Sequence, residues 1–199
     1  MARKQTDTRL IEAAAHLFHQ KGYAATGNAE ILAAAGVGAG SLYHHFRDKE
    51  DLLVAVLEHY HERFEAEIAA PTRARTNDPI GRVFGVLDFY RDFLVATECR
   101  LGCPIGNLAG EVADTHPLVR AAIDALFQRW RGFVEECFRR AQSRLPSHAD
   151  PADLAVFFLA VMEGAVMQAR VAKSLEPFET SVRLLREFIQ RLITQGDPS

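Results

Sequence analysis

The chain is short of cysteine, has one tryptophan, and lacks any long apolar run. Its three cysteines, Cys99, Cys103 and Cys137, are an odd number without a paired framework. That excludes a disulfide-stapled scaffold and points to reduced thiols in the cytoplasm. The longest apolar stretch, Leu154 to Met162, ends at Glu163 and is too short to span a bilayer, so no membrane partner is expected. The opening MARKQTDTRL has charge but no apolar run behind it and does not read as a signal peptide. Alternating strand pattern, internal repeats and low-complexity segments are all missing. So is metal-ligand spacing: His44 and His45 are adjacent, and His59 and His61 are two apart, so neither pair shares one helical face. No metal and no cofactor are expected. Nor is there a nucleophile–base–orienter set, a phosphate loop or a pair of carboxylates at a plausible site, which excludes an enzyme. What remains is a chain of 199 residues, 48% hydrophobic and 25% charged, enough for one large or two small globular domains.

What is there is helical periodicity throughout. Thr6 to Lys21 reads as a first helix, with Leu10, Ala14, Leu17 and Phe18 on one face and Gly22 as its stop. A second begins at Thr26 or Gly27 and ends by Gly36, and a third covers Ala39 to His45. A long fourth starts at Lys49 and carries Leu53, Leu57, Tyr60, Phe64 and Ile68 as one stripe, until the turn-rich Arg73 to Pro79 breaks it. Asp78-Pro79 then caps a helix reaching Glu98. Gly102-Cys103-Pro104 is a break, Ile105 to Asp114 a short helix, and His116-Pro117 opens another that runs past Phe138. Asp150-Pro151 starts a helix to about Ser174, which Leu175-Glu176-Pro177 ends. Ser181 to Gln195 is the last, closed by Gly196-Asp197-Pro198.

Within this frame Ala35 to Phe46, AGVGAGSLYHHF, stands out. Gly36 is placed to stop one helix in the left-handed conformation, Val37 is an apolar plug, and Leu42, Tyr43 and Phe46 begin another helix. Two short helices around a tight glycine turn make a helix-turn-helix, whose second helix would present its N-terminal residues to base edges in a DNA major groove. The same pattern also describes an ordinary helical hairpin. Asp48, as N-cap with Asp51 three residues on, starts the next helix. The net charge of −3 is not that of a chain basic overall, so a DNA contact would rest on cations gathered on one face.

From Gly22 to Leu53 the chain resembles the DNA-binding domain of the TetR/AcrR family of transcriptional regulators. The likeness is carried by Gly22-Tyr23, Thr26, Glu30-Ile31, Ala35-Gly36-Val37, Gly40-Ser41-Leu42-Tyr43, Phe46 and Lys49-Glu50-Asp51-Leu52. Gly102 to Ile123 resembles, more loosely, the C-terminal domain of the LmrA/YxaF-like branch. The expected fold is all-α with about nine helices. An N-terminal three-helix helix-turn-helix domain, 1–53, is followed by a helical ligand-binding and dimerisation domain, 54–199. The resemblance implies a repressor that binds a near-palindromic double-stranded operator as a homodimer and is released by a small-molecule effector, apolar or electrophilic. The rival reading is a helical carrier or sensor of apolar small molecules without specific DNA binding.

The resemblance also implies residue roles. Thr26 would cap the second helix or reach a phosphate, and Tyr43 and Lys49 would contact phosphates. Arg3, Lys4 and Arg9 are either a solvated N-terminus or an arm touching the backbone or minor groove. The chain departs from the family at Gly38, where Ser or Thr is usual, at Ala39, where Lys or Arg is common, and at Gly27 and Asn28. Ser41, His44 and His45 are then the candidate base readers, with Ala39 against a thymine methyl and specificity leaning on DNA shape.

In the second half Phe84, Phe89, Phe93, Trp130, Phe133, Phe138 and Met162 either enclose an apolar effector or form plain core. Cys103 and Asn107 complete the candidate ligand set. Cys103 lies just before a helix start, where a thiol's pKa falls and its nucleophilicity rises; the resemblance implies an electrophile or oxidant sensor, with Cys99 close enough to be a resolving partner, and the other reading is a buried structural thiol. Leu154, Phe157, Phe158, Val161, Ala165 and Ala169, around Gly164, form one candidate dimer stripe. Leu185, Phe188, Leu192 and Ile193 form the other; both stripes either bury into their own chain or, as the resemblance implies, pair in a two-fold dimer as a four-helix bundle.

Overall fold

The computed structural model describes the backbone of residues 2–194 and the side chains from Lys4 onward. The Arg3 side chain and the Gly196-Asp197-Pro198 terminus lie outside it. All regular elements among the described residues are helical: α1 Ala2–Lys21, α2 Asn28–Ala35, α3 Ser41–His45, α4 Lys49–Arg63, a π-helical segment Phe64–Ala69, α5 Ala70–Arg75, α6 Pro79–Ala96, α7 Pro104–Val112, α8 Pro117–Arg140, α9 Pro151–Ala172 and α10 Glu176–Thr194. A single 3₁₀ turn, Gln142–Arg144, follows α8. Counting the uninterrupted run of α4, the π segment and α5 as one, the helices number nine among the described residues, as expected.

Helix starts and stops follow local chemistry. Asp48 Oδ1 accepts the N–H of Asp51 at 2.8 Å, Asp78 Oδ2 accepts that of Gly81 at 2.9 Å, and Asp150 Oδ1 that of Ala152 at 2.7 Å, each satisfying an N–H that the first turn leaves over. Pro79, Pro117 and Pro151 open their helices, where a missing N–H costs nothing. Two helix boundaries fall a few residues from where the sequence places them. Pro177 does not end a helix but sits in the first turn of α10, after Ser174 Oγ accepts the Glu176 N–H at 3.3 Å. The segment after Arg73 does not break at once: the helix continues to Arg75 with Pro71 inside it. A proline at 71 cannot donate and crowds the carbonyl four residues back. The ladder just ahead is widened to the π form, as where a helix accommodates an awkward residue.

The chain divides into two compact units. One comprises the residues through Arg63 together with Pro104–Leu126, and the other Phe64–Cys103 with the residues from Phe127 on. Of the stripe expected along the long fourth helix, Leu53, Leu57 and Tyr60 are buried in the first unit, where the Tyr60 hydroxyl donates to Ala15 O at 2.7 Å, and Phe64 and Ile68 are buried in the second. Helix α7 packs on α1 and α4 in the same unit. The first unit's core holds Leu10, Ala14, Phe18, Ile31, Leu42 and Leu52, all at most 1% exposed. In the second unit α9 packs chiefly on α10 and also on α6. Among the described residues only α9 is long and apolar enough to cross a bilayer. Leu154, Phe158, Met162, Ala165, Val166 and Ala169 are buried along one side of it, and Val156, Phe157, Met167 and Val171 are exposed.

Candidate DNA interface and effector site

The α2–α3 turn has the geometry its glycines predict. Gly36 adopts φ +61°, ψ 42°, and the N–H groups of Gly36 and Val37 return to Ala33 O and Leu32 O at 3.1 Å each. Arg9 Nη2 on α1 donates to Gly36 O at 2.7 Å, so this arginine, read either as part of a solvated N-terminus or as part of an arm at the DNA, fastens the turn. Gly40 takes φ +96° as the residue before α3. Leu42 is fully buried and anchors α3, while Gly38, Ala39, Gly40, Tyr43 and His44 are exposed and Ser41 half-buried. Tyr43 is 65% exposed, and its hydroxyl accepts from Asn28 Nδ2 at 3.3 Å. The atypical Asn28 is thus a partner for the tyrosine, a pairing visible only once α2 and α3 are folded.

Three of the expected DNA contacts are differently employed. Thr26 is 1% exposed and donates its hydroxyl to Gly22 O at 2.7 Å. It neither caps α2, whose N-cap is Gly27, nor lies open to a phosphate. His45 is half-buried, with Nδ1 bonded to Asp7 Oδ1 of α1, which holds α3 against α1 rather than offering the ring to a base. Lys49 is half-buried: its ammonium donates to Tyr23 O and lies 4.1 Å from the Tyr23 ring centroid. Burial lowers the Lys49 pKa, opposed by the Glu111 carboxylate. Burial also raises the Tyr23 pKa, with Glu50, Asp48 and Glu111 adding to it.

Sequence reading missed Glu111. Its carboxylate, on α7, accepts the backbone N–H of Tyr23 at 2.9 Å and of Ala24 at 2.6 Å. The Tyr23 ring packs edge-on to Phe18 at 5.4 Å and to His116 at 5.3 Å. A glutamate sixty-odd residues beyond the helix-turn-helix carries no local signal of this role.

The expected ligand residues fall into separate groups. Asn107 belongs to the first unit and the rest to the second. Trp130 is buried and stacked on Phe64 at 4.8 Å, with Phe133 edge-on to Phe64 at 5.9 Å. Phe89 and Phe93 stack at 6.5 Å and line an open groove of about 370 Å³ together with Glu67, Thr72, Asp88 and Asp92. The Arg186 guanidinium lies over Phe84 at 4.6 Å. Phe138 and Met162 are buried. Cys103 is 2% exposed and accepts a hydrogen bond from the Tyr90 hydroxyl at 3.8 Å. The indole Nε1 of Trp130 and Oε1 of Glu163 are buried without a hydrogen-bond partner among the described residues. Glu163 was not singled out in the sequence because a lone glutamate after an apolar run reads as the end of that run.

The expected dimer stripes also divide. Phe158, Ala165 and Leu185 are at most 3% exposed and serve their own chain's core, because they point between α9 and α10. Val161 and Leu192 are half-buried. Phe157 and Phe188, 45% and 41% exposed, meet edge-on at 5.3 Å. The exposed apolar face is completed by residues not anticipated, Val156, Met167 and Val171 on α9 and Leu184 on α10. On α9 they recur with Gly164 at helical spacing, a signal the more numerous core positions outweighed.

Comparison with known proteins bears on both units. Residues 10–56 match the family model for bacterial regulatory proteins of the tetR family, and residues 79–185 match that for the tetracyclin repressor-like C-terminal domain. The transcriptional regulator AcuR of Cereibacter sphaeroides is 31% identical over 92% of this chain and 84% of its own length. The transcriptional repressor DhaR of a Mycobacterium species is 27% identical over 94% and 93%. The solved structure of a TetR transcriptional regulator from Chloroflexus aurantiacus superposes with a TM-score of 0.83 at 30% identity, covering 96% of each chain. With a helix-turn-helix whose turn is held from α1 and a helical second unit, the chain belongs to the TetR family and is a ligand-responsive, DNA-binding transcriptional regulator.

Proposed function

We propose that the chain is a repressor that binds a near-palindromic operator as a homodimer in the cytoplasm and leaves it when a small molecule binds the second unit. The observation that carries this is the exposed start of α3: Gly38, Ala39, Ser41, Tyr43 and His44 stand on a helix anchored by buried Leu42 and steadied by His45–Asp7. Short side chains at Gly38 and Ala39 let the backbone approach DNA, Ser41 and His44 meet base edges, and Tyr43 meets a phosphate. Thr26, His45 and Lys49 hold this surface in place. DNA reading belongs to residues 1–53, and effector binding and dimerisation to 54–199. The second copy covers Val156, Phe157, Met167 and Val171, since a two-fold dimer places two recognition helices on half-sites a helical turn or more apart.

The effector is a small apolar or electrophilic molecule. It binds near Phe89 and Phe93 or modifies Cys103, whose place just before α7 favours a nucleophilic thiol. It acts by favouring the conformer of lower operator affinity. No membrane is involved.

The test is a mobility-shift titration against DNA upstream of the protein's own gene, repeated across salt concentrations. Tight binding to one fragment that weakens with salt and is lost in Tyr43→Ala supports the reading. Equal, weak binding to all fragments, in this assay and in selection from random DNA, sinks it in favour of a carrier of apolar small molecules.

A further inference from the structure

Cys103 stands directly before Pro104, the first residue of α7. Two groups from other helices of the second unit close on its sulfur. The Tyr90 hydroxyl of α6 donates to Sγ at 3.8 Å, and the carboxyl of Glu163 on α9 takes the hydrogen bond of the thiol. Glu163 Oε1 is sealed from solvent and has no partner among the described residues. Among the described residues the thiol is the hydrogen-bond donor to this carboxyl, so it is a base with a proton donor already in place. We propose that Glu163 is the proton acceptor for Cys103 and that the Tyr90 hydroxyl steadies the thiolate, so that the trio makes Cys103 a nucleophile toward small neutral electrophiles with an activated double bond. This rests on the electrophile reading above and names the groups that would make it work.

The step balances within the trio and the electrophile. As sulfur forms a bond to the β-carbon of an α,β-unsaturated carbonyl compound, the S–H proton passes to the Glu163 carboxylate. The C=C π pair moves to the α-carbon as an enolate. The enolate then takes a proton back from the Glu163 carboxylic acid, restoring the carboxylate. Thiol and alkene become a thioether, with nothing oxidised.

The base has suitable strength. Burial raises Glu163 to about 7, opposed only by the Cys103 hydrogen bond. A general base is most effective when its pKa lies near the working pH. The titratable groups facing it are Cys103 and Tyr90, and no cation contributes to holding it ionised. Burial and the carboxylate disfavour anionic reagents. Cys137 supplies the internal contrast: burial pushes its thiol up to about 11, although Arg82 and Arg73 oppose this.

The experiment alkylates the native protein with N-ethylmaleimide and follows each cysteine by peptide mass spectrometry across pH. It compares wild type with Glu163→Gln and Tyr90→Phe. Cys103 should react faster than Cys137, with a rate that rises through about pH 7. Glu163→Gln should slow Cys103 by roughly ten- to a hundredfold and remove that inflection, and Tyr90→Phe should slow it by a smaller factor. An unchanged rate and profile in Glu163→Gln overturns the role of Glu163 while leaving Cys103 a sensor. A Cys103 that stays unmodified in native wild type but reacts once unfolded removes the electrophile reading itself, and this inference with it. A second measurement needs no variant. The Glu163 carboxyl carbon, followed by NMR, should titrate near pH 7, and titration in the ordinary carboxylate range overturns the proposal.

Discussion

The Glu111 carboxylate receives the backbone N–H of Tyr23 at 2.9 Å, and with its other oxygen that of Ala24 at 2.6 Å. The α1–α2 turn has no helical partner for these donors, so a side chain of α7 supplies one. Hydrogen bonds to a charged acceptor contribute about 1.5–3 kcal/mol each. Glu111→Ala should therefore lower the unfolding free energy by about 2 kcal/mol and weaken operator binding, with Glu111→Gln in between. Chemical denaturation and mobility shift on the same samples check this, and a Glu111→Ala protein as stable as wild type would refute it.

Gly36 should tolerate no side chain. At φ +61° an alanine costs about 1–2 kcal/mol, and a Cβ there would lie 2.7 Å from Arg9 Nη2. Gly36→Ala should cost less in an Arg9→Ala background, where only backbone strain remains. Equal costs in both backgrounds would show that Arg9 gives way freely.

Tyr43→Phe removes one hydroxyl from the α3 surface. If that hydroxyl meets a phosphate, affinity should fall by about 1 kcal/mol on every DNA sequence, with the salt slope unchanged because no cation is lost. Ser41→Ala or His44→Ala should instead alter preference at individual base pairs, by about 1–3 kcal/mol. Competition binding with single-base operator variants separates the two behaviours.

Stability should respond to Glu163. Its folded pKa, about 7, lies above the ordinary value of 4.5, so the folded state binds the proton more tightly. Its contribution is fully present below about pH 4.5 and is lost as pH rises through about 7, up to about 3 kcal/mol in all. Glu163→Gln should flatten that limb of the stability–pH curve. A curve of unchanged slope in the variant would contradict a buried, protonatable Glu163.

Val171, 80% exposed, and Met167, 62% exposed, lie on the face assigned to a second copy. Charge there should separate the dimer without unfolding the chain. Sedimentation of Met167→Glu with Val171→Glu should show a folded monomer. A dimer that persists would place the interface elsewhere.

Much of this was legible in the residues alone. Periodicity marks the helices, Asp-Pro pairs at 78–79 and 150–151 mark two starts, and glycine at 36 marks a left-handed stop, because each depends on bonds within a few residues. The helix-turn-helix and the family were readable for the same reason. Pro177 misled, because in the first turn of a helix a proline's missing N–H costs nothing, and whether it stops or starts a helix varies with where the helix begins.

Roles that depend on partners far along the chain were decided only by tertiary structure. Thr26, His45, Lys49 and Arg9 carry the residue types of DNA contacts, yet packing directs each to a neighbour within the first unit. Phe157 and Phe158 are adjacent and equally apolar, yet one is exposed and the other buried. A helix turns about 100° per residue, and only the position of α10 says which side is the core. Cys103, Tyr90 and Glu163 are unremarkable in sequence and meet because three separate elements converge. Local bonding thus determined the elements and the family, and long-range packing determined which side chains were left to act.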